Sequence, residues 1–409
     1  MIYLDGNATT RPTPGVCAAV LSALEESWGN PSSVHRMGQE ARARVELARR
    51  AVAELIGTRP RAITFTSGGT EAIDLAIRGS ILARRAGGGG GGGVLVTTPV
   101  EHAAVRDLAA WLAQREGVRV VHLPVNLDGV VDVAAVAAAL DDLPGAGAGA
   151  VVSVQWCNNE TGVIQPVEAI GRLCRQRGAI MHCDGTQLVG KEPVSMGDDG
   201  GGTGEGEQEG EGGWCDLLTF APHKFHGPKG VGVLWTRPGV RLAPVLHGAQ
   251  EGGRRGGTEN VPGIVGAGVA AEEAQAWLAD PAPRRRLAQM RDAFEAAVLR
   301  AIPEAVVNGA RLPGTRRIWN TTNIAFPRLE AEALLLLLSE RGVCASAGAA
   351  CSSGSLEPSP VLLAMSVPEA EAHGSVRFSL TRETTEAELE EAARIVAECV
   401  RRLRESMPG

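Results

Sequence analysis

Seven short apolar runs recur along the first part of this chain, at 63–66, 94–98, 118–123, 150–154, 180–183, 217–220 and 231–235, with helical segments between most of them. Runs of four to six residues are too short for helices. They show no polar alternation, so they read as strands buried on both faces. That is the pattern of a mostly parallel sheet covered by helices. The fold class it predicts is α/β: a large domain with a mostly parallel seven-stranded sheet flanked by helices, and ligands at the carboxyl ends of the strands. Helical periodicity at 15–28, 39–55 and 71–85 supplies part of the cover. After Pro262 the pattern changes to helices at 263–278, 284–302, 330–341 and 386–406, with strands at 322–326 and 375–380. This predicts a smaller α+β domain. The division expected is 16–261 for the large domain, with 1–15 and 262–409 forming the small one. Two inserts interrupt the pattern. Residues 87–93 are seven glycines, read as a flexible loop. Residues 195–213 hold nine glycines and six acidic residues, read as a disordered surface segment.

The formal charge is −7, and the acidic insert carries −6 of it. With no dense basic patch, a nucleic-acid surface is not expected. The segment Met1 to Asn7 lacks the basic and apolar regions of a signal peptide. The strongly apolar run 333–338 is too short to span a bilayer, so no membrane is expected. Eight cysteines form no C-x-x-C pair or other zinc spacing, which argues against a metal and a disulfide scaffold. A reducing, cytoplasmic setting follows, with most thiols serving as small buried apolar groups.

Polar residues crowd the ends of the apolar runs. Run 217–220 leads to Ala221-Pro222-His223-Lys224, then to a turn rich in glycine and proline. A lysine at the end of a buried strand can form a Schiff base with an aldehyde cofactor, because desolvation disfavours its ammonium. Thr66-Ser67-Gly68-Gly69-Thr70-Glu71 joins a strand to a helix. Its glycines let the backbone approach an anion, the helix start offers free N–H groups, and the Thr70 hydroxyl adds a donor. A capped helix start would look the same. Glu101-His102 follows run 94–98, where a histidine can stack on a planar cofactor and exchange protons near pH 7. Asn158-Asn159-Glu160-Thr161-Gly162 ends another run, as an orienting group or as a plain turn. His182-Cys183-Asp184-Gly185-Thr186-Gln187 ends a further one. Asp184 there can pair with a pyridinium nitrogen and keep the ring an electron sink, and Gln187 can donate to a phenolic oxygen. Together these ends converge on pyridoxal 5'-phosphate.

The same segments carry a family resemblance. The chain resembles the cysteine desulfurases of the NifS/IscS type, in the class V aminotransferase group of fold-type I enzymes. The resemblance covers nearly the full length. It rests on Tyr3-Leu4-Asp5-Gly6-Asn7-Ala8-Thr9-Thr10, Gly29-Asn30-Pro31-Ser32-Ser33-Val34-His35 and the strand-end segments above. It continues in Gly256-Gly257-Thr258-Glu259-Asn260, Cys351-Ser352-Ser353-Gly354-Ser355 and Val376-Arg377-Phe378-Ser379-Leu380. It implies a pyridoxal-phosphate enzyme that takes sulfur from L-cysteine, leaves L-alanine and carries the sulfur as a persulfide on Cys351. The sulfur then passes to a U-type iron–sulfur scaffold or another acceptor protein.

By that resemblance Lys224 holds the cofactor and moves the substrate's α-proton, and His102 stacks on the ring as acid and base. Asp184 pairs with the ring nitrogen. Gln187 and Asn159 lie near the phenolic oxygen, and Asn159 also near the substrate. Gly69, Thr70 and His223 hold the phosphate, with Thr258 reaching it from the second subunit of a homodimer. Arg377 clamps the substrate carboxylate, for which a guanidinium is suited. Cys351 is the nucleophile, in a run of small residues without an apolar anchor. The chain departs from the family at Ala221, where a serine that donates to the phosphate is usual, and at Cys344, where a small residue is common; Cys344 is expected to be buried. The alternatives are a selenocysteine lyase, another class V lyase or transaminase, or a sulfur-assembly subunit without catalysis.

Overall fold

The seven apolar runs do pair into one sheet. The computed structural model describes residues 1–87, 93–197, 213–347 and 357–406. The chain opens with β1 (Ile2–Tyr3), α1 (Pro14–Glu26), α2 (Arg36–Leu55), β2 (Ile63–Thr66) and α3 (Gly69–Ala86). It continues through β3 (Val94–Thr97), α4 (Ala103–Glu116), β4 (Arg119–His122), α5 (Val133–Asp141), β5 (Val151–Gln155) and α6 (Val167–Arg177). Then come β6 (Ile180–Asp184), β7 (Leu217–Phe220) and β8 (Gly232–Thr236). The sheet order is β2-β8-β7-β6-β5-β3-β4. β4, β3, β5, β6 and β7 pair in parallel, and β8 runs antiparallel to both β7 and β2. Every residue of β2, β5, β7 and β8 is buried, which is why these runs are apolar without alternation. β3 has β4 on one side and β5 on the other, so the connections leaving those ends diverge and open a crevice.

The second half adds α7 (Val261–Leu278), α8 (Ala282–Ala301), β9 (Val306–Asn308), β10 (Thr321–Ala325), α9 (Ala331–Glu340) and β11 (Val343–Cys344). It ends with β12 (Ser346–Ala347), α10 (Pro360–Ala364), α11 (Glu369–Ala372), β13 (Ser375–Ser379) and α12 (Glu386–Ser406). An antiparallel sheet runs β12-β13-β10-β9. α12 buries Leu389, Ala392, Val396, Cys399 and Val400, one helical face laid over α8 and α9. α7 is rich in small residues and packs against α1 and α2; a methyl on its Gly268 would lie 2.7 Å from Cα of Ala48.

Three expectations change. α3 begins at Gly69 rather than Glu71, because an extended Gly68 leads straight into the first turn. The acidic insert is shorter than 195–213: Met196 is buried and donates its N–H to the Ile56 carbonyl, and Trp214 is buried edge-on to Trp156. The remainder of that insert, 198–212, and residues 88–92 of the glycine run lie outside the described residues. The thiols also divide. Cys157, Cys174, Cys183, Cys215 and Cys399 are buried, but Cys17 is exposed and Cys344 is half-buried in the two-residue β11. Among the described residues no helix is long and apolar enough to cross a membrane.

The N-terminal segment links the two sheets. β1 pairs with β11, Asp5 bridges to Ser379, and the Gly6 N–H donates to the Ser379 carbonyl at 2.9 Å. A methyl on Gly6 would come 2.6 Å from the Leu380 carbonyl oxygen, so only glycine lets the segment cross β13 this closely. Gly6→Ala is expected to destabilise the protein by about 1–3 kcal/mol, the range for forced overpacking. A denaturant melt checks this; an unchanged midpoint would refute the close crossing.

Candidate active site

The polar strand ends meet at the carboxyl edge of the large sheet. β6 ends in Asp184, which is buried; its Oδ1 accepts the Thr186 N–H at 3.0 Å. β7 runs into a single turn of 3-10 helix over Pro222–Lys224, which presents His223 and Lys224 beside it. β3 leads to Glu101 and His102, and His102 caps α4 by accepting the Ala104 N–H on Nδ1 at 3.1 Å. That bond leaves the proton of the neutral ring on Nε2. Burial holds His102 below its ordinary value; the Asp184 carboxylate pulls the other way, and the Lys224 charge adds to the lowering. These three groups therefore share one electrostatic neighbourhood. Burial pushes Glu101 up to about 8 and, helped by the Lys224 and Lys229 charges, His223 down to about 3.

The Lys224 amine donates to the carbonyls of Asn7 at 2.7 Å and Ala8 at 2.8 Å. Asn7 is buried, and its contacts spread through the site. Its carbonyl also accepts from Gln187 Nε2 at 3.0 Å. Its Oδ1 accepts from Lys191 Nζ at 2.8 Å and from Asn320 Nδ2 at 2.9 Å. Its Nδ2 donates to the Asn159 carbonyl at 3.1 Å and to Thr321 Oγ1 at 2.8 Å. Arg377, almost fully buried on β13, donates to the same Asn159 carbonyl at 3.1 Å and pairs with Asp5 at 2.7 Å. His223 is laced to the same segment through its ring and Thr9 Oγ1 at 3.2 Å, and through its carbonyl and the Thr10 N–H at 2.9 Å.

The sequence-derived set is thus largely assembled. Lys224, His102, Asp184, Gln187, His223, Asn159 and Arg377 stand around one region. Gly69 and Thr70 form the first turn of α3, with Thr70 exposed. Thr258 is exposed in the loop before α7, and the structure gives it no hydrogen bond to Gly69, Thr70 or His223 of its own chain. Cys351 lies outside the described residues. Arg377 is held on two of its three nitrogens in this structure. Asp5 already holds Nη2 and Asn159 holds Nη1, so Nε is its unpartnered nitrogen. His182, part of the same segment as Asp184, belongs to the sheet. It is bound by Ser153 Oγ and Thr219 Oγ1, and burial lowers it to about 4.

Sequence reasoning gave no role to Asn7, Asp5 or Lys191. Lys191 lies four residues past Gln187 and bonds its Oε1 at 2.8 Å, fixing the amide so that Nε2 faces Asn7. The only signal was position: Asp5 and Asn7 fall within a resembling segment, and Lys191 lies just past one.

The residues fit pyridoxal phosphate on three grounds. An amine, a carboxylate and an imidazole surround one region. Asn159 Oδ1, Thr186 Oγ1 and Arg377 Nε are buried polar atoms without partners, which mark places for a ligand. A methyl on Gly68 would meet nothing within 4 Å, so the backbone before α3 is open to an anion.

Comparison with known proteins agrees with this geometry. The family model described as Aminotransferase class-V matches residues 2–391. A protein of Nostoc sp. named cysteine desulfurase is 43% identical over 411 residues, covering 100% of this chain and 95% of that one. The solved structure of a NifS-like protein superposes with a TM-score of 0.83 at 32% identity, covering 98% of this chain and 99% of that one. The structure of SspA in complex with cysteine superposes with a TM-score of 0.75 at 28% identity, covering 94% of this chain and 100% of that one.

Burial, with the Lys224 and Arg377 charges, pushes Lys191 down to about 7 against 10.5 in an unfolded chain. Between those values the unfolded state holds a proton that the native state has shed. Stability from this group therefore rises with pH from about 7 to 10.5, and below 7 the buried charge opposes folding in full. Lys191→Met is expected to remove that rise, so the variant loses ground against the wild type as pH increases. Denaturant melts of both proteins at pH 7 and pH 9 measure it; a pH-independent difference would contradict a lowered Lys191.

Proposed function

This chain belongs to the aminotransferase class-V family and, within it, to the cysteine desulfurases of the NifS type, and on that premise we propose how its residues take sulfur from L-cysteine. Enzymes of this family work with pyridoxal phosphate. When bound, the cofactor supplies an electron sink conjugated to the substrate's amino group. Lys224 would hold it covalently, Asp184 would pair with its ring nitrogen, and Gln187 and Asn159 would face its phenolic oxygen. Gly69, Thr70 and His223 would hold its phosphate, with Thr258 of a second copy of the chain. The observation that carries the proposal is the convergence of Lys224, Asp184 and His102 from three neighbouring loops onto one buried electrostatic cluster.

Each residue has a defined task. The Lys224 amine, freed from the Asn7 and Ala8 carbonyls, removes the proton from the substrate's Cα. His102 stays neutral near pH 7; to take up the proton of the substrate thiol at Nε2, its ring must shift its own proton to Nδ1 and release the Ala104 N–H, and it then returns the proton from Nε2. Arg377 offers its unpartnered Nε–H to the substrate carboxylate, with Asp5 holding the guanidinium in place. The Cys351 thiolate attacks the substrate sulfur. An S–S bond forms as the C–S bond breaks, the bonding pair goes to Cβ, and protonation of Cβ with return of the Cα proton from Lys224 leaves L-alanine. The enzyme keeps a persulfide on Cys351 and passes its outer sulfur to an acceptor protein such as a U-type iron–sulfur scaffold.

The test is the visible spectrum of the purified protein before and after L-cysteine, with alanine and reductant-released sulfide measured in the same sample. The proposal expects a spectral change and both products, and loss of sulfide in Cys351→Ser with the spectral change retained. A coloured protein that makes neither product would sink the assignment.

His102 adds a pH signature. Its folded value lies below 6.5, so its neutral form persists to that pH. The acid limb of kcat/KM is therefore expected below pH 6.5, where activity falls as the ring gains a proton. His102→Gln is expected to lower kcat about 100-fold or more, the usual contribution of a positioned acid–base group, and to abolish that limb. A limb that survives the substitution would assign the proton to another residue.

A further inference from the structure

We propose that Thr186 binds the phosphate of the cofactor and takes over, beside the α3 N-terminus, the hydrogen bond that Ala221 cannot make. This inference rests on the pyridoxal-phosphate reading above. Ala221 is buried at the end of β7 and carries only a methyl group, so the donor usual at that position is missing.

Three observations lead to Thr186. First, its hydroxyl oxygen is buried and has no hydrogen-bond partner. Leaving a buried polar group unsatisfied is unfavourable, so such an atom points to a missing ligand. Secondly, it is in the right place. A methyl on Gly69, the first residue of α3, would lie 3.6 Å from the Ala221 methyl carbon and 3.7 Å from Thr186 Oγ1. The two side chains thus flank the same helix start, whose first N–H groups lack intrahelical partners and favour an anion. Thirdly, apart from Thr70, which is already assigned to the phosphate, three nearby threonine hydroxyls are committed. Thr66 Oγ1 donates to the Gly68 carbonyl, Thr219 Oγ1 bonds His182, and Thr9 Oγ1 bonds His223. Thr186 itself is held by its backbone N–H on Asp184, so its side chain is positioned without using the hydroxyl.

The test compares a cofactor with and without its phosphate. Cofactor-free protein is titrated with pyridoxal phosphate and with pyridoxal, and dissociation constants are read from absorbance or calorimetry rather than turnover. Thr186→Val keeps the branched shape and the backbone bond to Asp184. It is expected to weaken pyridoxal phosphate roughly 10- to 100-fold, the effect of one hydrogen bond to a charged group, and to leave pyridoxal unchanged. Adding Ala221→Ser to Thr186→Val is expected to restore most of the loss. Should Thr186→Val fail to fold, Thr186→Ser against Thr186→Ala reads the same hydroxyl, with only the alanine variant weakened. Unchanged affinity for pyridoxal phosphate, an equal loss for both ligands, or no rescue by Ala221→Ser would each overturn the role of Thr186. Wild-type protein that binds neither ligand would instead overturn the cofactor reading on which it depends.

Discussion

The site depends on Asn7, because it supplies acceptors for two lysine amines, Lys191 and Lys224, at one point. Burying an ammonium or guanidinium is unfavourable unless its protons are matched by acceptors. Asn7 provides them with little to spare. Its backbone carbonyl receives Lys224 and Gln187, and its side-chain oxygen receives Lys191 and Asn320. Its side-chain nitrogen uses both hydrogens on Asn159 and Thr321, and its backbone N–H reaches Ser379 Oγ. Two donors and two acceptors on one planar amide meet this demand. Aspartate would lose both donors, and alanine would leave the Lys191 amine with Gln187 and the Asn320 amide with the Leu380 carbonyl, each one acceptor short. The position also explains why the N-terminal segment must cross β13 so closely at Gly6: the amide has to reach elements of both sheets.

The acceptors that hold Lys224 matter in a second way. The two acceptors described for it are carbonyls, and a hydrogen bond from a charged amine contributes about 1.5–3 kcal/mol net. Breaking a buried ion pair costs about 3–5 kcal/mol. An amine that must leave its resting place to form a bond is better restrained by the weaker interaction. Arg377 shows the opposite choice: it stays in place, and a carboxylate, Asp5, holds it there.

Much of this was legible in the sequence, and the limits have physical causes. The apolar runs predicted the seven strands because each is buried on both faces, so composition alone reports the environment. The strand-end segments predicted where Lys224, Asp184 and His102 would stand because a parallel sheet brings its carboxyl ends to one edge. Asn7 and Asp5 were not legible as site residues, because their partners lie 152 to 372 positions away and no local pattern encodes such contacts. His182 looked like part of the Asp184 segment and, two residues back on β6, shares its face, yet it lies deeper in the sheet, where Ser153 and Thr219 use both of its ring nitrogens. Cys17 and Cys344 escaped the general rule for free thiols because α1 leaves one face in solvent and β11 is only two residues long. The start of α3 was misplaced by two residues because glycine, a poor helix former, is used there for approach rather than propensity.

Charge ties these details together. Lys191, Lys224 and Arg377 face the carboxylates of Asp5 and Asp184. Glu101, pushed up to about 8 by burial, stays largely protonated at neutral pH. With Lys191 near 7, the region carries a partial positive excess before any ligand arrives. That excess suits a phosphate and a substrate carboxylate, both anions. Burial chiefly, and like charges after it, drive Lys191 and His223 down. An anion entering the site relieves that repulsion and makes proton uptake more favourable, so anion binding and protonation favour one another by linkage. The lowered values of Lys191 and His223 are therefore the mark of a site built for charge it does not itself contain.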